Sequence, residues 1–240
     1  MVATFRDTHM ANRILARLPA SELSWILPRL ERVHLPPDTV IHGPGIPLRH
    51  LYFPLSGIIV LLNTTTTGPT TDEIAMVGNE GVEGAMLLMA EQSDTVQSIT
   101  QSEVTALRLP AWAARREFQR GGTLQSLLLR FTQALMAQIA QMAVCGRHHT
   151  VTQRLCCWLL LSLDRSPHHN LRMTQARIAD LLGVRREGIT CAAGRLQKEG
   201  LLRYSRGHIH VLDRKGLEDH VCECYRHIRG EYRQLLGYGH

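Results

Sequence analysis

The first 149 residues contain no lysine, and no cysteine occurs before Cys145. The six cysteines, Cys145, Cys156, Cys157, Cys191, Cys222 and Cys224, are crowded into the second half of the chain. That crowding excludes the disulfide framework of a small secreted domain, and the adjacent pair Cys156–Cys157 is strained for a bridge. Reduced thiols are expected. No apolar run approaches the ~20 residues that span a bilayer. The opening "MVATFRDTHMANRILARLPA" has no apolar core ahead of a small-residue cleavage site. A cytoplasmic protein without a membrane partner is expected. Nucleophile elbow, phosphate loop and zincin motifs are missing as well, so no enzyme is expected.

What is present divides by charge. Residues 1–149 hold 12 Arg against 12 Asp plus Glu, whereas residues 150–240 hold 15 Lys plus Arg against 9 acids. The second part therefore carries the whole formal charge of +6. A neutral first part followed by a basic second part points to a polyanion as partner of the latter. At 240 residues the chain is long enough for two cores.

Short helices are predicted around Ile14 to Leu30. From His34 to Leu109, brief apolar runs ("TVIHGPGIP", "HLYFPLSGIIVLLN", "DEIAMVGNEG", "SITQSEVTALRLP") alternate with glycine and proline. That pattern predicts an all-β sandwich or jelly roll, with "TTTTGPTT" as a hairpin tip. After Pro110 the pattern turns helical. Leu124, Leu128, Phe131, Leu135 and Met142 form a heptad-like stripe, widened by Leu127, Leu129 and Ile139, and Gly146 punctuates the run. The stripe is expected to serve both as a homodimer seam and as packing for the chain's own β domain.

The stretch "TQARIADLLGVRREGITCAAGRLQKEG" carries the chemistry. Thr174 suits an N-cap, Gly183 suits a turn at positive φ, and Gly200 suits a helix stop. Buried positions are expected at Ile178, Ala179, Leu182, Val184, Ile189, Ala192 and Leu196, the series that locks a helix-turn-helix. Arg186, Glu187, Thr190 and Cys191 then share the outward side of the second helix. In a major groove, Arg pairs with guanine and Glu accepts from the cytosine amino group. Arg185, Arg195 and Lys198 would meet phosphates, as would the helix start at Thr174 and Gln175. "LLRYSRGHIHVLD" reads as a β-wing with Arg206 at its tip.

This order of parts resembles the Crp/Fnr superfamily of bacterial transcription regulators, most specifically at "TQARIADLLGVRREG", "LQKEGLL" and "LYFPLSG". The resemblance covers nearly the whole chain. It implies an α+β chain: a cyclic-nucleotide-binding-like jelly roll (about 1–120), a dimerisation helix (121–146) and a winged helix-turn-helix domain (147–240). It implies a homodimer on a near-palindromic double-stranded DNA site, and makes RNA polymerase a candidate partner. The family's Arg-Glu pair falls on Arg186 and Glu187. Its second base-reading arginine falls on Cys191, so the operator is expected to differ.

The resemblance also frames what the sensor lacks. No Lys or Arg lies between Leu51 and Leu107, where the family's cyclic-nucleotide sites place a phosphate-binding arginine, and Glu83-Gly84 reverses the family's Gly-Glu order. Cyclic AMP is therefore not expected as ligand, since a buried phosphate needs a cation or several donors. The N-terminal cysteines of the iron-sulfur members are also missing. Haem stays open on that ground, with His34, His42 and His50 present, although a lone loop histidine is ordinarily a surface residue rather than a ligand. The pairs His148-His149 and His168-His169, "HIH" at 208–210 and "CEC" at 222–224 are expected to hold no metal, Cys222 and Cys224 being poorly spaced for one helical face. The alternative is a ligand- or metal-responsive protein whose basic domain contacts protein or membrane.

Overall fold

The computed structural model describes residues 8–64, 71–89, 96–165 and 170–237. The tip of the threonine tract and the pair His168-His169 lie outside them. Two short 3-10 turns and helix α1 (Ala20–Ile26) lead into the β domain. Asn12 staples this lead-in. Its buried amide donates to Pro54 O and Gly81 O, and its oxygen accepts from the N–H groups of Ile14 and Leu15.

The β domain holds β1 (Glu31–Leu35), β2 (Val40–His42), β3 (His50–Ser56), β4 (Ile59–Thr64), β5 (Thr71–Val77), β6 (Val96–Thr100) and β7 (Val104–Pro110). They form two antiparallel sheets, ordered β1-β7-β3 and β2-β6-β4-β5. This is the expected jelly-roll-type β domain. Ile59, Val60, Leu61 and Leu62 are buried in succession, so β4 is covered on both faces. Helices pack on its outer side.

Those helices are α2 (Ala111–Gln119), α3 (Thr123–His148) and α4 (Val151–Arg165). The first turn of α3 follows glycines that have no side chain to cap it. Glu22 supplies the cap from a distance, its carboxylate accepting from Thr123 N at 2.7 Å and Leu124 N at 2.8 Å. Gly146 does not end α3, which runs on to His148. By length and composition α3 is the one helix among the described residues that could cross a membrane, yet its inward side is buried in protein.

The dimer stripe expected from the sequence needs correcting. Leu124, Leu128, Phe131 and Leu135 are all buried within the single chain, and Met142 is half-buried. The cause is the last helix, α8 (Glu223–Leu236), which the sequence assigned to the winged domain. Its apolar side, Tyr225, Ile228, Tyr232 and Leu236, folds back along α3. Phe131 meets the Tyr232 ring edge-on at 6.3 Å and sits so close to Gly81 that a Cβ there would lie 2.1 Å from the ring.

The C-terminal unit continues with β8 (Asn170–Arg172), α5 (Gln175–Leu181), α6 (Arg186–Lys198), β9 (Leu202–Ser205), β10 (His208–Val211) and α7 (Arg214–His220). It is welded to the β domain by buried polar groups. Arg165 Nε donates to Glu80 Oε1 at 2.7 Å, and its Nη2 donates to Gln138 Oε1 at 3.0 Å, where Tyr232 Oη also donates at 2.9 Å. Trp158 Nε1 donates to Glu73 Oε2 at 3.1 Å, while Glu73 Oε1 has no protein partner. Burial pushes the Glu73 carboxyl up to about 8, against the opposing pull of Trp158, Arg165 and Arg177.

Two outcomes follow. Arg165→Met strands the Glu80 carboxylate and lowers unfolding free energy by about 3–5 kcal/mol, whereas the double change with Glu80→Met recovers most of the loss in urea titrations. Glu73 has a folded pKa of about 8 against an ordinary 4.5, so it is neutral in both states at acid pH. Its penalty on folding grows as pH rises from 4.5 towards 8. Glu73→Gln should therefore leave stability unchanged near the bottom of that window and raise it near the top, by up to a few kcal/mol. An advantage that does not widen with pH would contradict the assignment.

Candidate nucleic-acid interface

The site begins with how α5 and α6 are locked. Thr174 caps α5 by accepting from Arg177 N. Ile178, Ala179 and Leu182 are buried against Ile189, Ala192 and Leu196, as expected, and Val184 is half-buried. The turn closes through Val184 N donating to Ala179 O at 3.0 Å. Gly183 sits there at φ +59°, and a Cβ on it would come within 2.6 Å of Asp72 Oδ1. The positive φ favours glycine at this position, whereas the exposed Asp72 carboxylate could turn aside. Arg185 is the extended N-cap of α6, whose first helical residue is Arg186.

This packing leaves Arg185, Arg186, Glu187, Thr190, Cys191, Arg195 and Lys198 exposed on one flank. Among the described residues, no ion pair is formed by Arg186 or Glu187. Arg195 pairs only with Glu199 one turn on, at 3.5 Å. Thr190 is engaged inside the unit, donating to Gln175 Oε1 at 2.7 Å, which also fixes Gln175 across the two helices. Thr174 likewise spends its hydroxyl on its cap. These two contacts position α6 against α5 and do not involve the side chains of Arg185 and Arg186.

The wing has the expected hairpin, with Arg206 at φ +47° and Gly207 at φ +80° forming a two-residue turn at the exposed tip. Sequence reasoning missed its third strand. β8 pairs with β10, placing Arg172 opposite His208, and the sheet order is β8-β10-β9. Three residues, "NLR", give no alternation to read. As a result Arg172 and Arg203, both exposed, join the basic surface beside Arg206. Tyr204 Oη donates to Met173 O at 2.6 Å and ties the wing to the start of α5.

A jelly-roll-type β domain, a long helix and a winged helix-turn-helix whose second helix exposes a basic edge together define a winged-helix protein. Residues 153–220 match the Crp-like helix-turn-helix domain model. The fold is similar to that of a regulator assigned to the Crp/Fnr family from Eubacterium rectale, at 19% identity over 88% of this chain and 98% of that one, TM-score 0.68. FixK2 from Bradyrhizobium japonicum gives 16% identity, 80% and 98% coverage and TM-score 0.68. The c-di-GMP responsive global regulator CLP from Xanthomonas campestris gives 20% identity, 80% and 99% coverage and TM-score 0.60. No curated protein matches the chain in sequence. The family match thus rests on residues 153–220, and over the rest of the chain the likeness to these regulators is one of fold.

Arg186→Ala should cost about 1–3 kcal/mol of specific DNA affinity and relax selectivity at one base step. Competition titrations against specific and random duplexes check this. An equal loss on both would reduce Arg186 to a phosphate contact.

Proposed function

We propose that this protein is a cytoplasmic, sequence-specific DNA-binding transcription regulator acting as a homodimer. The observation that carries the reading is the unpaired, exposed Arg186–Glu187 edge at the start of α6, flanked by Arg185, Arg195, Lys198 and the wing arginines. Two such helices in successive major grooves of a near-palindromic site would lie roughly 34 Å apart.

The dimer surface is the outer side of α3. Leu129, Met136 and Val144 are exposed there, with Ala140 and Ala143 between them. Their spacing follows the heptad drift of a two-helix seam, and the small alanines permit close approach. The seam thus lies on the opposite side of the helix from the stripe read in the sequence. The β domain is the candidate effector site. Its buried Glu83 pairs with a histidine, His42, whose Nε2 lies 3.1 Å from Glu83 Oε1, a contact that supports an effector other than a cyclic nucleotide.

Selection of bound sites from random duplexes should return a near-palindrome whose affinity falls steeply with salt. Recovery of no preferred sequence would defeat the reading. Leu129→Arg with Met136→Arg should yield a folded monomer by sedimentation that binds a half-site and loses the advantage of the full palindrome. Dimers that survive both changes would place the seam elsewhere.

A further inference from the structure

Cys222 and Cys224 are poorly spaced to share one face of a continuous helix. In the structure they are not on one face of a helix. Cys222 is the extended N-cap of α8 and Cys224 lies in its first turn, so both reach the same point. The end of α3 meets them there. Cys145 Sγ lies 3.6 Å from Cys222 Sγ, and His149 Nδ1 lies 3.4 Å from Cys224 Sγ. All four ligand atoms, three thiols and one imidazole, fall within 4.8 Å of one another.

We propose that Cys145, His149, Cys222 and Cys224 form a tetrahedral site for one thiophilic cation of the zinc type. With Zn–S of about 2.3 Å and Zn–N of about 2.0–2.1 Å, the edges of such a tetrahedron measure about 3.5–3.8 Å. The Cys145–Cys222 and His149–Cys224 separations, 3.6 and 3.4 Å, are already close to that spacing, and no pair of ligand atoms exceeds 4.8 Å. Three sulfurs and one imidazole nitrogen are the donor set of closed zinc sites, whereas calcium and magnesium require oxygen.

The surroundings fit as well. Nε2 of His149, the nitrogen facing away from the thiols, lies 3.2 Å from Glu223 Oε1. A carboxylate there orients the ring and raises its basicity as a ligand. Gln141 Nε2 donates to Cys224 Sγ at 3.2 Å, a contact that stabilises a metal-bound thiolate. The three cysteines are buried and His149 is partly exposed, which leaves an entry path on one side. Binding displaces thiol protons to solvent, so affinity falls as pH falls.

The placement gives the site a consequence. His149 is the C-cap residue of α3, immediately before the Thr150 step into α4, and Cys222 ends the segment that joins α7 to α8. A bound ion would tie the exit of the long helix to the back of the winged unit and fix the angle between them. The site does not depend on the DNA-binding reading, and its test involves no DNA.

Reduced full-length protein, stripped with chelator and dialysed against zinc, should retain one equivalent per chain by elemental analysis. Cobalt(II) in place of zinc should show thiolate-to-metal charge transfer and tetrahedral ligand-field bands. Glu223→Gln should keep that spectrum while weakening affinity about 10–100-fold, and Cys222→Ser should abolish the stoichiometric site. Cys191→Ser, at an exposed thiol remote from the cluster, should change nothing. Zinc should also shield Cys145 and Cys222 from alkylation while Cys191 continues to react. Failure of the reduced protein to take up zinc, a cobalt spectrum without thiolate bands, or stoichiometry indifferent to Cys222→Ser in a folded variant would overturn the proposal.

Discussion

The buried contact between Arg165 and Glu80 governs how the two halves of this molecule meet. A guanidinium inside protein must satisfy several donors, and here the sensor supplies the carboxylate, α3 the Gln138 amide and α4 the Leu161 carbonyl, with the Tyr232 ring alongside. Such a node adds little net stability compared with an apolar core, but it severely penalises any arrangement that separates its members. Four chain segments are fixed by it at one point. The neighbouring contacts obey the same geometry: Trp158 on Glu73, Arg177 beside Asp38 at 3.4 Å, and the Gly183 turn against Asp72.

With the halves so joined, the edge of α6 presents Arg185, Arg186 and Glu187 as exposed charges on the C-terminal unit. Its lock is apolar and local, made of Ala179, Val184, Ile189 and Leu196, whereas the contacts to the sensor are polar and long-range. Apolar packing fixes which side chains point outward, and the polar seam fixes where the whole unit points. An effector that changed the sensor would act on the second without disturbing the first. The cysteine-histidine cluster at the α3 exit sits at the same junction and offers a second, separate handle on it.

What could be read from the sequence follows from the range of the interactions. The helix-turn-helix was legible because its determinants lie within 27 residues, and a cap, a turn glycine and an apolar series each have a short-range cause. The wing hairpin was legible for the same reason. The partner of α3 was not. Leu124, Leu128, Phe131 and Leu135 make a stripe that fits either a second copy or α8, and only the fold shows that α8 returns from nearly 100 residues away to cover it. β8 was too short to have a period. The cysteine cluster was missed because Cys145 and Cys222 meet across 77 residues, and the spacing rule for a single helix did not apply to a residue at its cap.

The most direct test of major-groove reading by α6 is methylation interference on the selected duplex. A methyl group on guanine N7 blocks the acceptor that an arginine fork requires. The account predicts that methylation of one guanine in each half-site, about one helical turn apart, prevents binding by the native protein and has little effect on the residual binding of Arg186→Ala. Binding of the native protein that ignores N7 methylation throughout the site would contradict it.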